Sequence, residues 1–236
     1  MIKVKKMLDC RICDLKLSLP KSSLLLADQV NHELNKKHLK IPFQIYLSND
    51  WFNLNNSINI AIPFYLANPI LIKLAKKHLG YTEGSNKEEF LKLLRHEIGH
   101  IIDDLFKLRR LKQRSRIFGK SSIPYPKSYT YNPYTKYFVH NLDDFYAQSH
   151  PFEDFAETFA VWLDPKSNWR EKYIKWPAFK KLEYIDKLME SLVHKHIKIT
   201  TKGEPHSINE IKLTLREYFQ KKNNNQRSKR KNFVMM

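Results

Sequence analysis

The sequence predicts an α+β domain that is mostly helical, with a small sheet packed on one central helix. The clearest observation is a long amphipathic stretch, residues 88–111, in which apolar residues recur every three to four positions. Two short runs, 42–48 and 57–64, show the alternation that is typical of strands. The chain has 236 residues, enough for one domain or for one domain with appendages.

One helix is predicted before the two strands in the chain and another after them. Residues 20–38 have an apolar face, and residues 68–79 form a second amphipathic segment. Asn55-Asn56 is a turn signal between the strands. The second strand, 57–64, is expected to lie along the cleft, where an extended peptide could add to its edge by main-chain hydrogen bonds.

The central helix is expected to begin at a capping box made by Ser85 and Glu88. Its interior contains Gly99, and glycine costs roughly 1 kcal/mol relative to alanine in a helix. A glycine at this position suggests the close approach of another backbone. One side of the helix is apolar and consists of Phe90, Leu91, Leu94, Ile98, Ile101, Ile102 and Leu105.

Beyond the central helix, one long loop and three further helices are expected. Residues 119–141 contain prolines and aromatic residues without periodicity, and a loop of this length is usually functional. Pro151 suits the first position of a helix that spans 151–163. Residues 176–194 have a helical pattern, and 209–220 is a weaker helical candidate.

The central helix contains the pattern His-Glu-x-x-His. His96 and His100 are one turn apart on the same helix face, so both imidazoles can reach one metal ion. Glu97 lies about 100° around the helix axis, where its carboxylate can contact a water on the metal without binding the metal. Two ligands and a base at this spacing are what a zinc hydrolase requires.

A catalytic zinc ion usually has a third protein ligand. The extended pattern HExxHxxGxxH is excluded, because Asp103 and Phe106 occupy the positions of its glycine and its third histidine. The third ligand must therefore come from elsewhere in the chain. The two aspartates that follow the motif, Asp103 and Asp104, either orient His100 or are solvated.

The segment 150–157, HPFEDFAE, is the richest source of a third ligand. Glu153 and Glu157 are one turn apart on one helix face. One carboxylate can bind the metal while the other accepts a hydrogen bond from a ligating histidine. Glu153 is the favoured ligand, with Glu157, His150 and His140 as alternatives. Helix capping is the more natural role for His150.

The chain is strongly basic, with a formal net charge of +18. Some of this charge is concentrated in residues 107–120 and 221–231. The second cluster is polar without apolar periodicity, which predicts a basic disordered tail. The predicted division is a main domain, 1–200, and a C-terminal helix with this tail, 201–236. Basic segments can contact nucleic acid, but lysine is abundant throughout, so nucleic-acid binding is not expected as the main function.

The expected location is the cytoplasm. No apolar run is long enough for a membrane span, and charged residues between Asp9 and Lys16 interrupt any signal-peptide core. Cys10 and Cys13 form a lone CxxC without a second pair. They are expected to be free, reduced and structural.

Seven motifs along the chain are long enough to be compared with known families: RICDLKL (11–17), AIPFYL (61–66), LRHEIGH (94–100), YAQSHP (146–151), EDFAETFAVWL (153–163), WPA (176–178) and KLEYID (181–186). They resemble the motifs of a bacterial family of zinc-binding metallopeptidases with a zincin-like fold. The resemblance covers most of the chain. It implies zinc and peptide hydrolysis, without a known substrate.

A more distant likeness is to the catalytic domain of anthrax lethal factor. It rests on HExGH followed by two aspartates, and on ExFAExF at 153–159 with a tyrosine seven residues earlier. In that domain the first glutamate binds zinc and the tyrosine assists catalysis. The likeness implies these roles for Glu153 and Tyr146. The segment between the two motifs differs, so the shape of the pocket does not transfer.

The sequence therefore predicts a zinc-dependent hydrolase, with peptidase as the first choice. One Zn²⁺ is expected on His96, His100 and Glu153, with Glu97 as general base and Tyr146 as a donor to the oxyanion. Its partner would be a peptide or protein substrate. One alternative is a catalytically inactive zincin-like protein that contacts nucleic acid or an acidic partner through its basic segments. The other is a hydrolase of a different amide, for example in the cell wall.

Overall fold

A computed structural model of the chain describes residues 6–54, 57–193, 195 and 203–234, with side chains described as far as residue 224. The architecture is α+β as predicted, mostly helical with a three-stranded sheet. The helices are α1 (Lys21–Lys36), α2 (Pro69–Leu79), α3 (Lys87–Leu105), α4 (Lys112–Phe118), α5 (Pro151–Leu163), α6 (Trp169–Tyr173), α7 (Phe179–Glu190) and α8 (Leu215–Val234), and the strands are β1 (Gln44–Ser48), β2 (Phe52–Asn53) and β3 (Asn59–Pro63).

The sheet has the strand order β1-β3-β2, so β3 is its central strand. β1 pairs with β3 in parallel, and β2 pairs with it in antiparallel fashion, with Phe52 opposite Ala61 and Asn53 opposite Ile60. All five residues of β3 are buried. The expectation that an extended peptide adds to an open edge of this strand is therefore wrong at Ile60 and Ala61. The strand that covers these two residues is β2. It has only two residues, so an alternating sequence pattern could not predict it.

Helix α3 carries the HExxH motif and begins one residue later than the predicted cap requires. Its N-cap is Asn86, whose side chain accepts the Glu89 N–H at 2.9 Å. Ser85, the predicted cap, forms a hydrogen bond with a neighbouring threonine instead. The helix ends at Leu105, before its predicted end, because Lys107 turns the chain with a left-handed φ of 52°.

Helices α3 and α5 pack tightly against each other, and most residues of both are buried. A Cβ atom built on Gly99 would lie 2.9 Å from the Ala156 Cα atom. The close backbone approach that Gly99 suggests is therefore confirmed. This contact sets the two histidines of α3 against the two glutamates of α5.

Helix α4 follows a short 3-10 turn and has no counterpart among the predicted elements. Its Arg114 is fully buried and donates to Asp103 at 3.0 Å, while Arg109 pairs with Asp104. Both aspartates are buried, and the Nδ1 atom of His100 has no hydrogen-bond partner among the described residues. Neither expected role of the aspartates, orienting His100 or remaining solvated, is observed. These ion pairs also engage part of the basic cluster at 107–120.

The C-terminal residues share a hydrophobic core with the rest of the chain. Leu215 and Phe219 of α8 are buried, and the Leu215 N–H donates to the Cys10 carbonyl at 3.1 Å. α8 then continues to Val234, through the segment expected to be disordered. Extending a helix from an anchored first turn is easy, because nucleation is the costly step. The expected boundary at residue 200 lies outside the described residues.

Other expectations are met in part. Cys10 and Cys13 are both free, as predicted, and α7 is shorter than the predicted helix at 176–194. The Asn55-Asn56 turn lies outside the described residues. Within the part of the chain that the structure describes, no helix combines the length and the apolarity that crossing a membrane requires.

Candidate metal centre

Two histidines meet on the buried face of α3. His96 and His100 are one helical turn apart, and their Nε2 atoms lie 3.0 Å from each other. Their rings are nearly perpendicular, at 86°, and both side chains are buried. The helical spacing thus directs two imidazole nitrogens toward one place.

Glu153 of α5 completes a triangle with these histidines. Its Oε2 atom lies 3.1 Å from His96 Nε2 and 3.0 Å from His100 Nε2. Although burial opposes it, hydrogen bonds with the two histidines hold the pKa of Glu153 well below its ordinary value, so the carboxylate is ionised. The structure brings together the three predicted ligands, and this group could hold a metal ion.

The donor set of the triangle fits zinc. Zinc binds imidazole nitrogen and carboxylate oxygen at about 2.0–2.2 Å in tetrahedral geometry, which places neighbouring ligand atoms roughly 3.3–3.6 Å apart. The edges of the triangle, between 3.0 and 3.1 Å, are close to this separation. A buried carboxylate is stabilised by a charged partner, and a cation bound in the triangle would provide one.

Glu157 holds His96 from the side opposite the triangle. Its Oε1 atom accepts the His96 Nδ1–H at 2.7 Å and an amide N–H of Asn141 at 2.8 Å. The backbone N–H of Leu142 donates to Oε2 at 3.1 Å. Because Nδ1 carries the proton donated to Glu157, Nε2 is the His96 nitrogen that would bind a metal, in place of the proton it shares with Glu153 when no metal is bound. Glu157 therefore orients His96 and is not part of the triangle.

The other two histidines considered as ligands have different contacts. His150 caps α5, because its Nδ1 atom accepts the Phe152 N–H at 3.1 Å, which is the role expected for it. His140 packs edge-on against Phe145 and Trp176. Neither belongs to the group that could hold a metal among the described residues.

Glu97 is buried next to the two histidines in α3. Burial raises the pKa of its carboxyl to about 7, while His96 counteracts this rise and Glu153 adds to it. A carboxyl group with a pKa near neutrality can both accept and release a proton. The general-base role of Glu97 stays a prediction, and a raised pKa is compatible with it.

Tyr146 lies in a 3-10 turn just before α5. The centre of its ring is 5.8 Å from that of His96, with the planes inclined at 42°. Burial, together with the Glu153 carboxylate, raises the pKa of its phenol. The hydroxyl therefore keeps its proton and can act as a hydrogen-bond donor near the triangle.

Two residues of the site have no signal in the sequence. Tyr125, in the 119–141 loop, donates from its hydroxyl to Glu153 Oε1 at 2.6 Å. Asn141, at the end of the same loop, donates to Glu157. Neither belongs to a periodic pattern or to a motif, and the only hint is the unusual length of the loop.

Comparison with known protein families matches residues 85–203 to the family described as "Putative zinc-binding metallo-peptidase". The match covers just over half of the chain and includes α3, α5 and the loop between them, whereas the motifs at 11–17 and 61–66 lie outside it. No curated protein and no solved structure matches the chain. The likeness to anthrax lethal factor is therefore not shown, and the zincin-like fold stays a prediction. The whole triangle lies inside the matched segment, and the chain belongs to this family of zinc-binding metallopeptidases.

Proposed function

We propose that the protein is a zinc-dependent peptidase of zincin-like fold that holds one Zn²⁺ ion on His96, His100 and Glu153. The observation that supports this most directly is the triangle of ligand atoms, formed by residues from two separate helices. Three protein ligands leave a fourth tetrahedral position for water or substrate, the arrangement typical of catalytic rather than structural zinc.

Zinc bound in the triangle would supply a Lewis acid that polarises the scissile carbonyl and acidifies a water molecule. Glu97 accepts the proton of that water as it attacks the carbonyl, and then donates the proton to the leaving amine. Tyr146 donates a hydrogen bond to the oxyanion that develops. Glu157 and Asn141 keep His96 in the orientation that directs its Nε2 atom into the triangle.

The proposal is tested by measuring zinc content and cleavage of a mixed peptide library with the purified full-length chain. Glu97→Gln should retain zinc and lose turnover, because the amide cannot accept the proton of water. Glu88→Gln is the matched control, since this glutamate lies in the first turn of the same helix and its side chain is exposed. Its zinc content and activity should equal those of the parent.

Two results would contradict the proposal. One is a Glu97→Gln protein that cleaves the library as well as the parent does. The other is a parent protein that binds zinc stoichiometrically but still binds it after His100→Ala. Steep loss of nucleic-acid binding with salt, combined with zinc but no peptide cleavage, would support the inactive binding protein instead.

A further inference from the structure

Tyr125 is about half exposed, yet its hydroxyl reaches the buried carboxylate of Glu153. The O–H···O distance of 2.6 Å is that of a strong, charge-assisted hydrogen bond. The two carboxylate oxygens have different partners, because Oε1 accepts from Tyr125 while Oε2 faces His96 and His100. One oxygen is thus engaged on the side away from the triangle.

The loop around Tyr125 is anchored on the first turn of α5. The Nδ1 atom of His150 accepts the Phe152 N–H, so its Nε2 atom carries the proton and donates to the Ile123 carbonyl at 2.9 Å. The rings of Tyr125 and His150 are stacked, with centres 3.9 Å apart and planes 13° apart. These contacts fix the phenol relative to the helix that bears Glu153.

We propose that Tyr125 is a positioning residue that makes Glu153 a monodentate zinc ligand, binding through Oε2 alone. This inference rests on the proposed function. A carboxylate free to rotate could bind zinc through both oxygens and so add a fifth ligand atom beside the water. The Tyr125 hydroxyl holds Oε1 and prevents this rotation, and it also limits the side-chain entropy that Glu153 loses when it binds the metal.

Tyr125 and Tyr146 therefore have different roles. The Tyr125 hydroxyl is engaged with Glu153, so its effect on the metal passes through that carboxylate. Tyr146 is assigned above to the oxyanion. Loss of the Tyr125 hydroxyl should change metal binding, whereas loss of the Tyr146 hydroxyl should change turnover alone.

The test uses the full-length chain as parent, Tyr125→Phe and Tyr134→Phe. Phenylalanine at 125 keeps the ring that stacks on His150 and removes only the hydroxyl. Tyr134 lies in the same loop and is 88% exposed, which makes it the matched control. Zinc affinity is measured by competition with a chelator, and Co²⁺ in place of zinc reports coordination number through its visible absorption. Thermal unfolding shows whether each variant is folded.

Tyr125→Phe should bind zinc about 10–100-fold more weakly than the parent. Its Co²⁺ spectrum should weaken, as expected when a four-coordinate ion gains a fifth ligand atom, while Tyr134→Phe should match the parent in both measurements. Parent-like zinc affinity and Co²⁺ absorption in a folded Tyr125→Phe protein would overturn this inference and leave the proposed function intact. A parent protein that binds no zinc would overturn both.

Discussion

The two histidines of the triangle are supported by different interactions. Glu157 accepts the Nδ1–H of His96, whereas the Nδ1 atom of His100 is buried without a partner among the described residues. Phe152 stacks on the His100 ring, with centres 4.2 Å apart. A hydrogen bond thus orients one histidine, and packing orients the other. Substitutions behind His96 should therefore weaken metal binding without removing a ligand.

This difference predicts separate outcomes for the two glutamates of α5. Glu153→Ala should abolish stoichiometric zinc binding, because it removes a corner of the triangle. Glu157→Gln should retain one zinc ion with about 10–100-fold lower affinity, because the amide still accepts a hydrogen bond but without its charge. Metal analysis after dialysis against a chelator measures both. If zinc is retained in Glu153→Ala but lost in Glu157→Gln, then Glu157 is the zinc ligand and Glu153 is not.

Tyr146→Phe should lower kcat by about 10²–10³-fold, the usual effect of removing one donor to an oxyanion. Zinc content and KM should change little, since the hydroxyl acts on the transition state. Tyr129→Phe is the control: the Tyr129 ring is 6.2 Å from the Tyr146 ring, and its hydroxyl donates to the Asp144 carbonyl. An unchanged kcat in Tyr146→Phe would mean that this tyrosine only packs against its neighbours and takes no part in catalysis.

At the scale of elements, the contact between α3 and α5 determines whether the site forms. Gly99→Ala should destabilise the protein by about 1–3 kcal/mol, because the added Cβ would meet the Ala156 backbone at 2.9 Å. This loss should exceed the gain of roughly 1 kcal/mol in helix propensity. Urea unfolding measures the difference in the free energy of unfolding. Gly203→Ala, where no atom lies within 4 Å of the new Cβ, is the control.

A Gly99→Ala protein that is more stable than the parent would show that the two helices can separate freely. In that case the triangle would not depend on this contact. Zinc affinity measured on the same variant should fall along with stability, because separation of the helices moves Glu153 away from the histidines.

The long helices and both longer strands follow from the sequence, but the short elements do not. β2 has two residues, α6 has five and α4 has seven, so none of them repeats a pattern often enough to be recognised. The cap of α3 is Asn86 rather than the predicted Ser85. The sequence could not identify the right one, because asparagine and serine are both good N-cap residues. Local preference cannot separate two good caps that are adjacent in the chain.

At the scale of the whole molecule, burial of Glu83 links stability to pH. Burial raises the pKa of its carboxyl from 4.5 to about 7. The folded protein therefore binds this proton more tightly than the unfolded chain, and the free energy of unfolding falls as pH rises from about 4.5 to about 7. Glu83→Gln should remove the Glu83 contribution to this fall, leaving that of other carboxyls with a raised pKa such as Glu97, and be about 1–3 kcal/mol more stable than the parent at pH 8.

Urea unfolding at pH 5 and pH 8 measures the effect of Glu83→Gln. Glu88→Gln, at an exposed position, should keep the pH dependence of the parent. If the parent and Glu83→Gln lose the same stability between the two pH values, the Glu83 carboxyl is not a source of the dependence.

The net charge of +18 does not by itself assign a partner. In the first basic cluster, Arg114 of α4 pairs with Asp103 of α3, and Arg109 in the 3-10 turn before α4 pairs with Asp104. Those two guanidinium groups are therefore engaged within the protein. Nucleic-acid binding and a cytoplasmic location stay predictions.

The sequence by itself determined the parts of the site that are local. His96, Glu97 and His100 lie within two turns of one helix, and a spacing of four residues places both imidazoles on one face. Glu153 was accessible to the same reasoning because it shares a helix face with Glu157. Their motif also resembles a known family, and the family match includes both helices.

Only the tertiary structure decided which of these groups meet. Glu153 is 53 residues from His100, Tyr125 is 28 residues from Glu153, and Asn141 is 16 residues from Glu157. Periodicity shows which face of an element is apolar, but it does not show which other element packs against that face. None of these contacts can therefore be predicted from a sequence pattern. The neighbours are set by close packing, here by the contact of Gly99 with Ala156 that brings two polar helix faces together in the core.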